Sequence, residues 1–310
     1  MIYPFFVALL DLGEMKHWLH AFRLRTLPLA LSSILVGSAL AYSLGAFSWP
    51  IFLLALCTAT LLQILSNLAN DLGDHQHGTD NADRVGPQRA VQSGAISPAV
   101  MKRAMLICGV LAFASGLALI LTAFGTTLKT FAFLLIGLAA IVAAVKYTFG
   151  KNPYGYAGLG DLSVFLFFGA VGVAGTYYLF VHSFDIIVVR PIFIFGLLSV
   201  AVLNVNNMRD IDNDRASGKR TLVVRLGLKN ALHYHAILTI IPFLLLFSFG
   251  SDALEKPWKY LALLGFIPIG IHAYRIQSED GKIPLDPELK RVALGTFSTA
   301  LLYSLGLILA

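Results

Sequence analysis

The chain has 310 residues, of which 57% are hydrophobic and only 13% are charged, and its mean hydropathy is +0.76. Soluble domains carry about a quarter charged residues, so this composition excludes a disordered chain, a fibrous repeat and an ordinary soluble enzyme. In so apolar a chain, the net charge of +6 is expected to orient the protein in a bilayer and does not indicate a nucleic-acid partner.

Apolar runs long enough to cross a bilayer recur along the chain. A spanning helix needs about 20 mostly apolar residues. We therefore predict an all-α, polytopic integral membrane protein with nine transmembrane helices, in which residues 1–310 form one membrane-embedded domain. The predicted spans are 27–44, 50–69, 104–124, 130–148, 160–181, 186–204, 232–249, 258–274 and 292–310.

The basic residues predict the orientation of these spans. All but four of the 23 Lys and Arg residues fall in the N-terminal segment and in the alternate connections that share its side. By the positive-inside rule, the N-terminus and these connections are cytoplasmic, in the cytoplasmic (inner) membrane. Residues 1–14 lack the features of a cleaved signal peptide, and we predict that they are a dispensable extension before Met15.

Two acidic segments each follow a predicted span on the cytoplasmic side. They are residues 67–89, after span 2, and residues 204–221, after span 6. A charged side chain at the bilayer centre costs about 2.5–3.5 kcal/mol on insertion scales. These clusters must therefore face water or a polar cavity, or be neutralised by a cation.

Helical spacing brings the acidic side chains of each segment together. Residues three or four apart share a helix face, and in both segments an asparagine lies four residues before the first aspartate. Carboxylate and amide oxygens are hard ligands suited to Mg²⁺, which binds a few carboxylates together with substrate phosphates. The pattern consists of Asn67, Asp71 and Asp74 in the first segment and Asn206, Asp210 and Asp214 in the second.

Basic residues follow each acidic cluster, and they suit the oxygens of a diphosphate. The alternative is that each segment is a solvated connection. The bases are Arg84 and Arg89 after the first cluster, and Lys219 and Arg220 after the second.

A third polar segment, residues 146–161, joins spans 4 and 5 on the same side. Its glycines and Pro153 predict a turn. The segment carries Lys151, Asp161 and three tyrosines, including Tyr147. The alternative is an interfacial turn with its tyrosines at the level of the lipid headgroups.

These three segments resemble those of the UbiA-type intramembrane prenyltransferases. That superfamily has N-D-x-x-D-x-x-x-D after helix 2 and D-x-x-x-D after helix 6, in a nine-helix bundle. Here Asn70, Asp71 and Asp74 match the first pattern, and Asp210 and Asp214 match the second.

The sequence departs from the superfamily pattern at its third acidic position. Gly78 stands there, and Asp80 follows two residues later. This departure, the R-x-G-P-x-R run at 84–89 and the YGYAGLGD turn resemble the branch that acts on 1,4-dihydroxy-2-naphthoate in menaquinone synthesis.

The resemblance implies a Mg²⁺-dependent enzyme that transfers a polyprenyl group from polyprenyl diphosphate to the naphthoate, giving demethylmenaquinol, carbon dioxide and pyrophosphate. The implied Mg²⁺ ligands are Asp71, Asp74, Asp210 and Asp214, with Asn67 or Asn70 as accessory ligands. The candidate groups for the diphosphate are Arg84, Arg89, Lys151, Lys219 and Arg220. Candidates for the acceptor chemistry are Asp161, Tyr147 and Lys151.

Other functions stay open at this point. Another aromatic acceptor or a phytyl donor would use the same motifs. A CDP-alcohol phosphotransferase would need a D-G-x-x-A-R stretch that the sequence lacks. A secondary transporter would place ionisable residues near mid-span, whereas here they gather at one membrane surface.

Overall fold

The computed structural model describes residues 12–81, 85–251 and 257–310, and within these ranges its regular structure is entirely helical. The helices are α1 (Leu12–Phe22), α2 (Leu27–Ser43), α3 (Trp49–Gln76), α4 (Pro98–Phe124), α5 (Leu128–Lys146), α6 (Gly160–Val181), α7 (Val189–Arg209), α8 (Ile211–Ala216), α9 (Leu222–Ser251), α10 (Leu261–Ser278) and α11 (Leu285–Leu309).

The predicted all-α membrane fold is confirmed, whereas the count of nine spans is not. In the described ranges, eight helices are long and apolar enough to cross a bilayer, and they match every predicted span except 258–274. That prediction falls on α10, which has 18 residues and carries Arg275 and Gln277 in its last turns. The predicted N-terminal extension lies mostly outside the described residues, since α1 begins at Leu12.

Proline and serine residues mark where several helices begin. Pro28, Pro50 and Pro98 stand in the first turns of α2, α3 and α4, where a missing N–H costs nothing. Ser97 caps α4, because its Oγ accepts the Val100 N–H at 3.4 Å. The predicted span 104–124 nevertheless begins six residues after Pro98, the first residue of α4, because hydropathy marks the apolar core of a helix and not its polar first turns.

The helices form a closed bundle in which the first and last spans meet. α2 packs along α11, α10 also packs on α11, and α7 packs on α9. Tyr177, Phe195 and Tyr303 are fully buried between them. α5 differs: it packs on α3 and α4, and none of its residues is buried.

A row of four buried polar side chains, one from each helix, links α7, α9, α10 and α11. The Nδ1 atom of His235 lies 3.1 Å from Asn204 Oδ1, and its Nε2 atom lies 2.8 Å from Nε2 of His272. The other ring nitrogen of His272 lies 2.9 Å from a carboxylate oxygen of Glu288. Because buried polar groups need hydrogen-bond partners, this row of side chains fixes how the four helices pack.

The backbone brings the second acidic pair to the end of α7. Asp210 directly follows the last residue of α7, and α8 begins at the next residue, Ile211. The Asp214 N–H nevertheless donates to the Asp210 carbonyl at 2.8 Å, so the helical spacing between these two aspartates is kept. The Lys219 N–H then donates to the Asp214 carbonyl, which folds the lysine back over α8.

Candidate active site

A cavity of about 920 Å³ opens in the middle of the bundle. Its lining on α3 runs from Ala55 to Asp74, about 28 Å at 1.5 Å per residue. One end is polar and the rest is apolar, lined by residues such as Leu119, Phe133 and Val171. The polar end includes Arg23, Arg25, Asn67, Asn70, Asp74, Arg89, Asp210, Asp214, Lys219, Asp286 and Lys290.

The two acidic segments meet at this polar end around one ammonium group. Lys219 Nζ lies 3.8 Å from Asp74 Oδ1 and 3.5 Å from Asp214 Oδ1. A second link between the segments is the Asn213 side chain, which donates from Nδ2 to the Thr79 carbonyl at 2.8 Å. Two aspartates distant in sequence therefore share one cation at the mouth of the cavity.

The electrostatics of this cluster follow from burial and proximity. Burial alone would lower the pKa of Lys219, but Asp74 and Asp214 outweigh it and raise that pKa above its ordinary value. Burial raises the pKa of Asp214 to about 6, with Asp210 and Asp74 adding to the effect and Lys219 opposing it. The carboxylates therefore hold the lysine in its charged form.

Asp214 has an unused oxygen in this cluster. Its Oδ2 atom is buried and lacks a hydrogen-bond partner among the described residues. A buried carboxylate oxygen without a partner is costly, and a cation would satisfy it. Within the described ranges, no three His, Cys, Asp or Glu side chains are placed to hold a metal alone. The site therefore suits Mg²⁺ that completes its coordination with substrate phosphates.

Tyr156 is a site residue that sequence analysis missed. Its hydroxyl donates to Asp74 Oδ1 at 2.9 Å and lies 2.6 Å from Thr79 Oγ1, and Lys219 Nζ lies 5.2 Å from the ring centroid. Burial raises the pKa of Tyr156, so the phenol stays neutral and keeps its proton to donate. The signal was present in the YGYAGLGD turn, but spacing alone does not say which tyrosine points inward.

Asp210 lines the cavity while its carboxylate is held by a neighbour. Arg209 donates to both oxygens of Asp210, at 2.9 and 2.7 Å, and also to Asp286 at 2.8 Å and to Asn206 at 3.0 Å. A bidentate pair of this kind fixes the carboxylate plane. Neither Arg209 nor Asp286 was among the predicted site residues.

Asp71 has a different environment from Asp74. Its two oxygens accept the backbone N–H groups of Ala90 and Val91, each at 3.1 Å, and it does not line the cavity. Asp80 is also buried and lies 4.0 Å from Arg89, outside the cavity lining. These two carboxylates hold the loop that carries Arg89 to the polar end.

The two predicted asparagine ligands line the cavity, and both are hydrogen bonded. Asn67 donates to the Phe22 carbonyl and to Thr26 Oγ1, each at 2.9 Å, which ties α1 to α3. Asn70 accepts a hydrogen bond of 2.8 Å from Thr148. Close packing supports that contact, since a Cβ on Gly73 would lie 2.5 Å from the Thr148 carbonyl oxygen.

Among the residues that the structure describes, only three of the predicted basic and catalytic ones line the cavity. Arg89, Lys219 and Tyr147 line the cavity. Lys151 and Arg220 are exposed and do not line it, and Arg84 lies outside the described residues. Asp161 is buried behind the wall, where it accepts a hydrogen bond of 3.3 Å from Tyr234.

Comparisons with family models, curated relatives and solved structures all find the same family. The model of the UbiA prenyltransferase family matches residues 30–285. The chain is 46% identical to the 1,4-dihydroxy-2-naphthoate octaprenyltransferase of Escherichia coli and 43% identical to that of Haemophilus influenzae. These matches cover 97% and 96% of the chain, and 97% of each relative. A UbiA homolog from Archaeoglobus fulgidus, solved with GPP and Mg²⁺, superposes with a TM-score of 0.60 at 18% identity, covering 94% of this chain and 99% of that one.

Proposed function

The chain belongs to the UbiA prenyltransferase family, and from this premise we propose that it transfers a polyprenyl group from polyprenyl diphosphate to 1,4-dihydroxy-2-naphthoate. The products are demethylmenaquinol, carbon dioxide and pyrophosphate. Two relatives that match nearly the whole chain at 43–46% identity are named for octaprenyl transfer to this acceptor, which favours a polyprenyl over a phytyl donor.

One observation supports the proposal above the others. Asp74 and Asp214, from the two acidic segments, both face the ammonium group of Lys219 at the polar end of a long apolar cavity. A substrate that fits this shape is anionic at one end and hydrocarbon along the rest. A polyprenyl diphosphate has that form.

The residues fit a magnesium diphosphate. Asp74 and Asp214 would hold Mg²⁺, with Asn70 and Asp210 facing the same space. Bound there, Mg²⁺ would neutralise the negative charge that grows on the diphosphate as its bond to the allylic carbon breaks. Lys219 and Arg89 line the same end and can bind diphosphate oxygens directly.

The rest of the cavity protects the reaction from water. When the carbon–oxygen bond breaks, its electron pair leaves with the diphosphate and an allylic cation remains. Apolar walls exclude the water that would trap this cation. The ring carbon bearing the carboxylate then bonds to the allylic carbon, and loss of carbon dioxide returns an electron pair to the ring.

Tyr147 is our candidate for orienting the acceptor. It lines the cavity, and burial raises its pKa, with Asp161 adding to the effect. The phenol is therefore neutral at physiological pH and can donate a hydrogen bond to the naphthoate. Asp161 does not line the cavity, and its effect on the site is the one on the pKa of Tyr147. Lys151 is exposed and is given no role in the reaction.

The membrane orientation follows from the distribution of basic residues. The polar end of the cavity faces the cytoplasm, because the basic connections gather on that side. Protease protection of inverted vesicles checks this assignment independently of activity.

The purified protein in proteoliposomes tests the function directly. We expect Mg²⁺-dependent release of pyrophosphate from octaprenyl diphosphate when 1,4-dihydroxy-2-naphthoate is present, with stoichiometric carbon dioxide. 4-Hydroxybenzoate and phytyl diphosphate serve as the comparison acceptor and donor. Equal turnover with 4-hydroxybenzoate, or no turnover with the naphthoate, would contradict the proposal.

Magnesium affinity is expected to weaken as the pH falls through 6. The pKa of Asp214 is about 6, so its carboxylate is ionised above that pH and protonated below it. An ionised ligand is needed for Mg²⁺, so protons compete with the metal at a higher pH than for an ordinary carboxylate. Binding of Mg²⁺ with inorganic pyrophosphate, measured by calorimetry at pH 7.5 and 5.5, checks this expectation. Equal affinity at the two pH values would contradict it.

A further inference from the structure

The four glycines of the third polar segment, residues 146–161, form two pairs by backbone conformation. Gly150 and Gly158 have positive φ values of 87° and 76°, which residues with a side chain rarely adopt. Gly155 and Gly160 have no positive φ. Gly160 is also the first residue of α6, a helix that alanine would favour. Backbone conformation therefore explains the first pair of glycines, and the second pair needs another reason.

Close packing against Tyr147 explains the second pair. A Cβ at Gly155 would lie 2.6 Å from the Tyr147 carbonyl oxygen and 3.2 Å from two carbons of its ring. A Cβ at Gly160 would lie 2.8 Å from the Tyr147 hydroxyl oxygen, closer than real Cβ atoms come to other heavy atoms. Both glycines are buried and neither lines the cavity, whereas Tyr147 does. The two glycines therefore lie behind the tyrosine.

A neighbouring ring and the backbone hold Tyr147 on its other sides. The Tyr154 ring meets it edge-on, with centroids 5.4 Å apart and an angle of 85° between the planes. Tyr154 is itself held, because its hydroxyl donates to the Ala143 carbonyl at 2.9 Å and lies 3.0 Å from Ser163 Oγ. The Tyr147 N–H donates to the Ala143 carbonyl at 3.1 Å, and its carbonyl accepts the Gly155 N–H at 2.9 Å. The cavity is therefore the side toward which the phenol has room to move.

The hydroxyl of Tyr147 is available to a ligand. The other two tyrosines of the segment use their hydroxyls within the protein, since Tyr154 donates to Ala143 and Tyr156 donates to Asp74. The Tyr147 hydroxyl has no hydrogen-bond partner among the residues that the structure describes. A polar group in a mainly apolar cavity is stabilised when a ligand pairs with it.

We propose that Gly160 is a positioning residue that keeps the Tyr147 hydroxyl back from the cavity and so makes room for a two-ring acceptor. This inference rests on the proposed function, in which Tyr147 orients the naphthoate, and it adds the residue that sets the size of the acceptor. A side chain at position 160 would push the hydroxyl toward the cavity and reduce the space beside it. Gly160 acts through Tyr147 and does not itself touch the substrate.

Alanine at position 160 is expected to leave the fold intact. Its methyl group would meet the end of the Tyr147 side chain, and the next atom is Leu203 Cδ2 at 3.4 Å. A methyl group at Gly155 would instead meet a backbone oxygen at 2.6 Å, and a backbone gives way less readily than a side chain. We therefore expect Gly155→Ala to unfold at a lower temperature than the wild type, and Gly160→Ala to unfold close to it.

Two acceptors with the same substituents test the size argument. They are 1,4-dihydroxy-2-naphthoate and its one-ring analogue 2,5-dihydroxybenzoate. For Gly160→Ala we expect kcat/KM for the naphthoate to fall about ten-fold or more, the size of effect that a small steric change in a binding pocket produces. We expect the inhibition constant of the one-ring compound and the KM for octaprenyl diphosphate to change by less than about two-fold.

A double variant tests whether Gly160 acts through Tyr147. In Tyr147→Phe the hydroxyl that the methyl group would meet is absent. Adding Gly160→Ala to Tyr147→Phe should therefore change kcat/KM for the naphthoate by less than about two-fold, and the two single effects should not add. A purely structural role of Gly160 would not give this result. If Gly160→Ala alone does not fold, the double variant should fold, and its failure would overturn the packing argument.

Gly270→Ala is the matched control. It makes the same change in α10, where a methyl group would meet nothing within 4 Å and does not line the cavity. Its kinetics should equal those of the wild type. A wild-type protein that does not use the naphthoate contradicts the proposed function itself. With an active wild type, unchanged naphthoate kinetics in Gly160→Ala, equal losses for the two acceptors, or additivity with Tyr147→Phe overturns this inference alone.

Discussion

Asp214→Asn is expected to lower kcat for polyprenyl transfer by a factor of about 10² to 10³. The carboxylate shares Lys219 with Asp74, and its buried Oδ2 has no hydrogen-bond partner among the described residues. Asp214 would act through the Mg²⁺ that it holds, and losing one ligand of a metal ion that stabilises the leaving diphosphate costs about 3–4 kcal/mol of transition-state stabilisation, which is this factor in rate. Initial rates of pyrophosphate release, measured across a Mg²⁺ titration, check the expectation.

Asp212 supplies the matched control for this variant. It lies on the same short helix, but its side chain is 91% exposed and pairs only with Arg215 among the contacts that the structure gives it. Asp212→Asn removes the same charge from α8 without touching the cavity. Turnover of Asp214→Asn that is close to that of Asp212→Asn, with an unchanged Mg²⁺ requirement, would remove Asp214 from the site.

A double variant tests whether Asp74 and Asp214 bind the same metal ion. If they do, Asp74→Asn added to Asp214→Asn should cost less activity than the sum of the two single effects.

Lys219→Gln is expected to lower kcat/KM by about ten-fold to a hundred-fold. A hydrogen bond to a charged group contributes about 1.5–3 kcal/mol, and this lysine is placed to bind the diphosphate. The variant should also unfold at a lower temperature without Mg²⁺, because removing the shared cation leaves two buried carboxylates without their counter-charge. Steady-state kinetics and thermal unfolding with and without Mg²⁺ measure the two effects.

Arg220 is the control for the lysine. It is the next residue along the chain, its side chain is exposed, and only its backbone N–H bonds to the Tyr156 carbonyl among the contacts that the structure gives it. Arg220→Gln should leave both kinetics and stability near those of the wild type. Similar losses in Lys219→Gln and Arg220→Gln would show a general effect of surface charge and contradict the assignment.

The helical membrane fold could be predicted because its signals are local. Apolar runs of spanning length and prolines in first turns are visible in any short window of the sequence. α10 shows the limit of this reasoning: its last turns are polar, so hydropathy alone does not establish that it spans. The π-helical stretch of α6 could not be predicted either, because the sequence Phe165–Gly175 is as apolar as an ordinary spanning helix.

The candidate site was predicted in its position but not in its details. Spacing placed Asp71 and Asp74 on the same helix end, yet the loop that follows takes both oxygens of Asp71. Spacing also could not show that Tyr156 would reach Asp74, because that contact depends on how the turn before α6 folds over α3. Charge alone could not separate the cavity-lining Lys219 from the exposed Arg220. Each of these distinctions depends on tertiary packing.

The location of the metal in a substrate complex tests the central claim most directly. Crystals of the protein with a non-reactive allylic thiodiphosphate and Mn²⁺ in place of Mg²⁺ would reveal the ion by anomalous diffraction. We expect the ion to be bound by an oxygen of Asp74 and by an oxygen of Asp214, with the diphosphate completing its coordination. An ion bound by only one acidic segment, or by Asp71 in place of Asp74, would contradict the account.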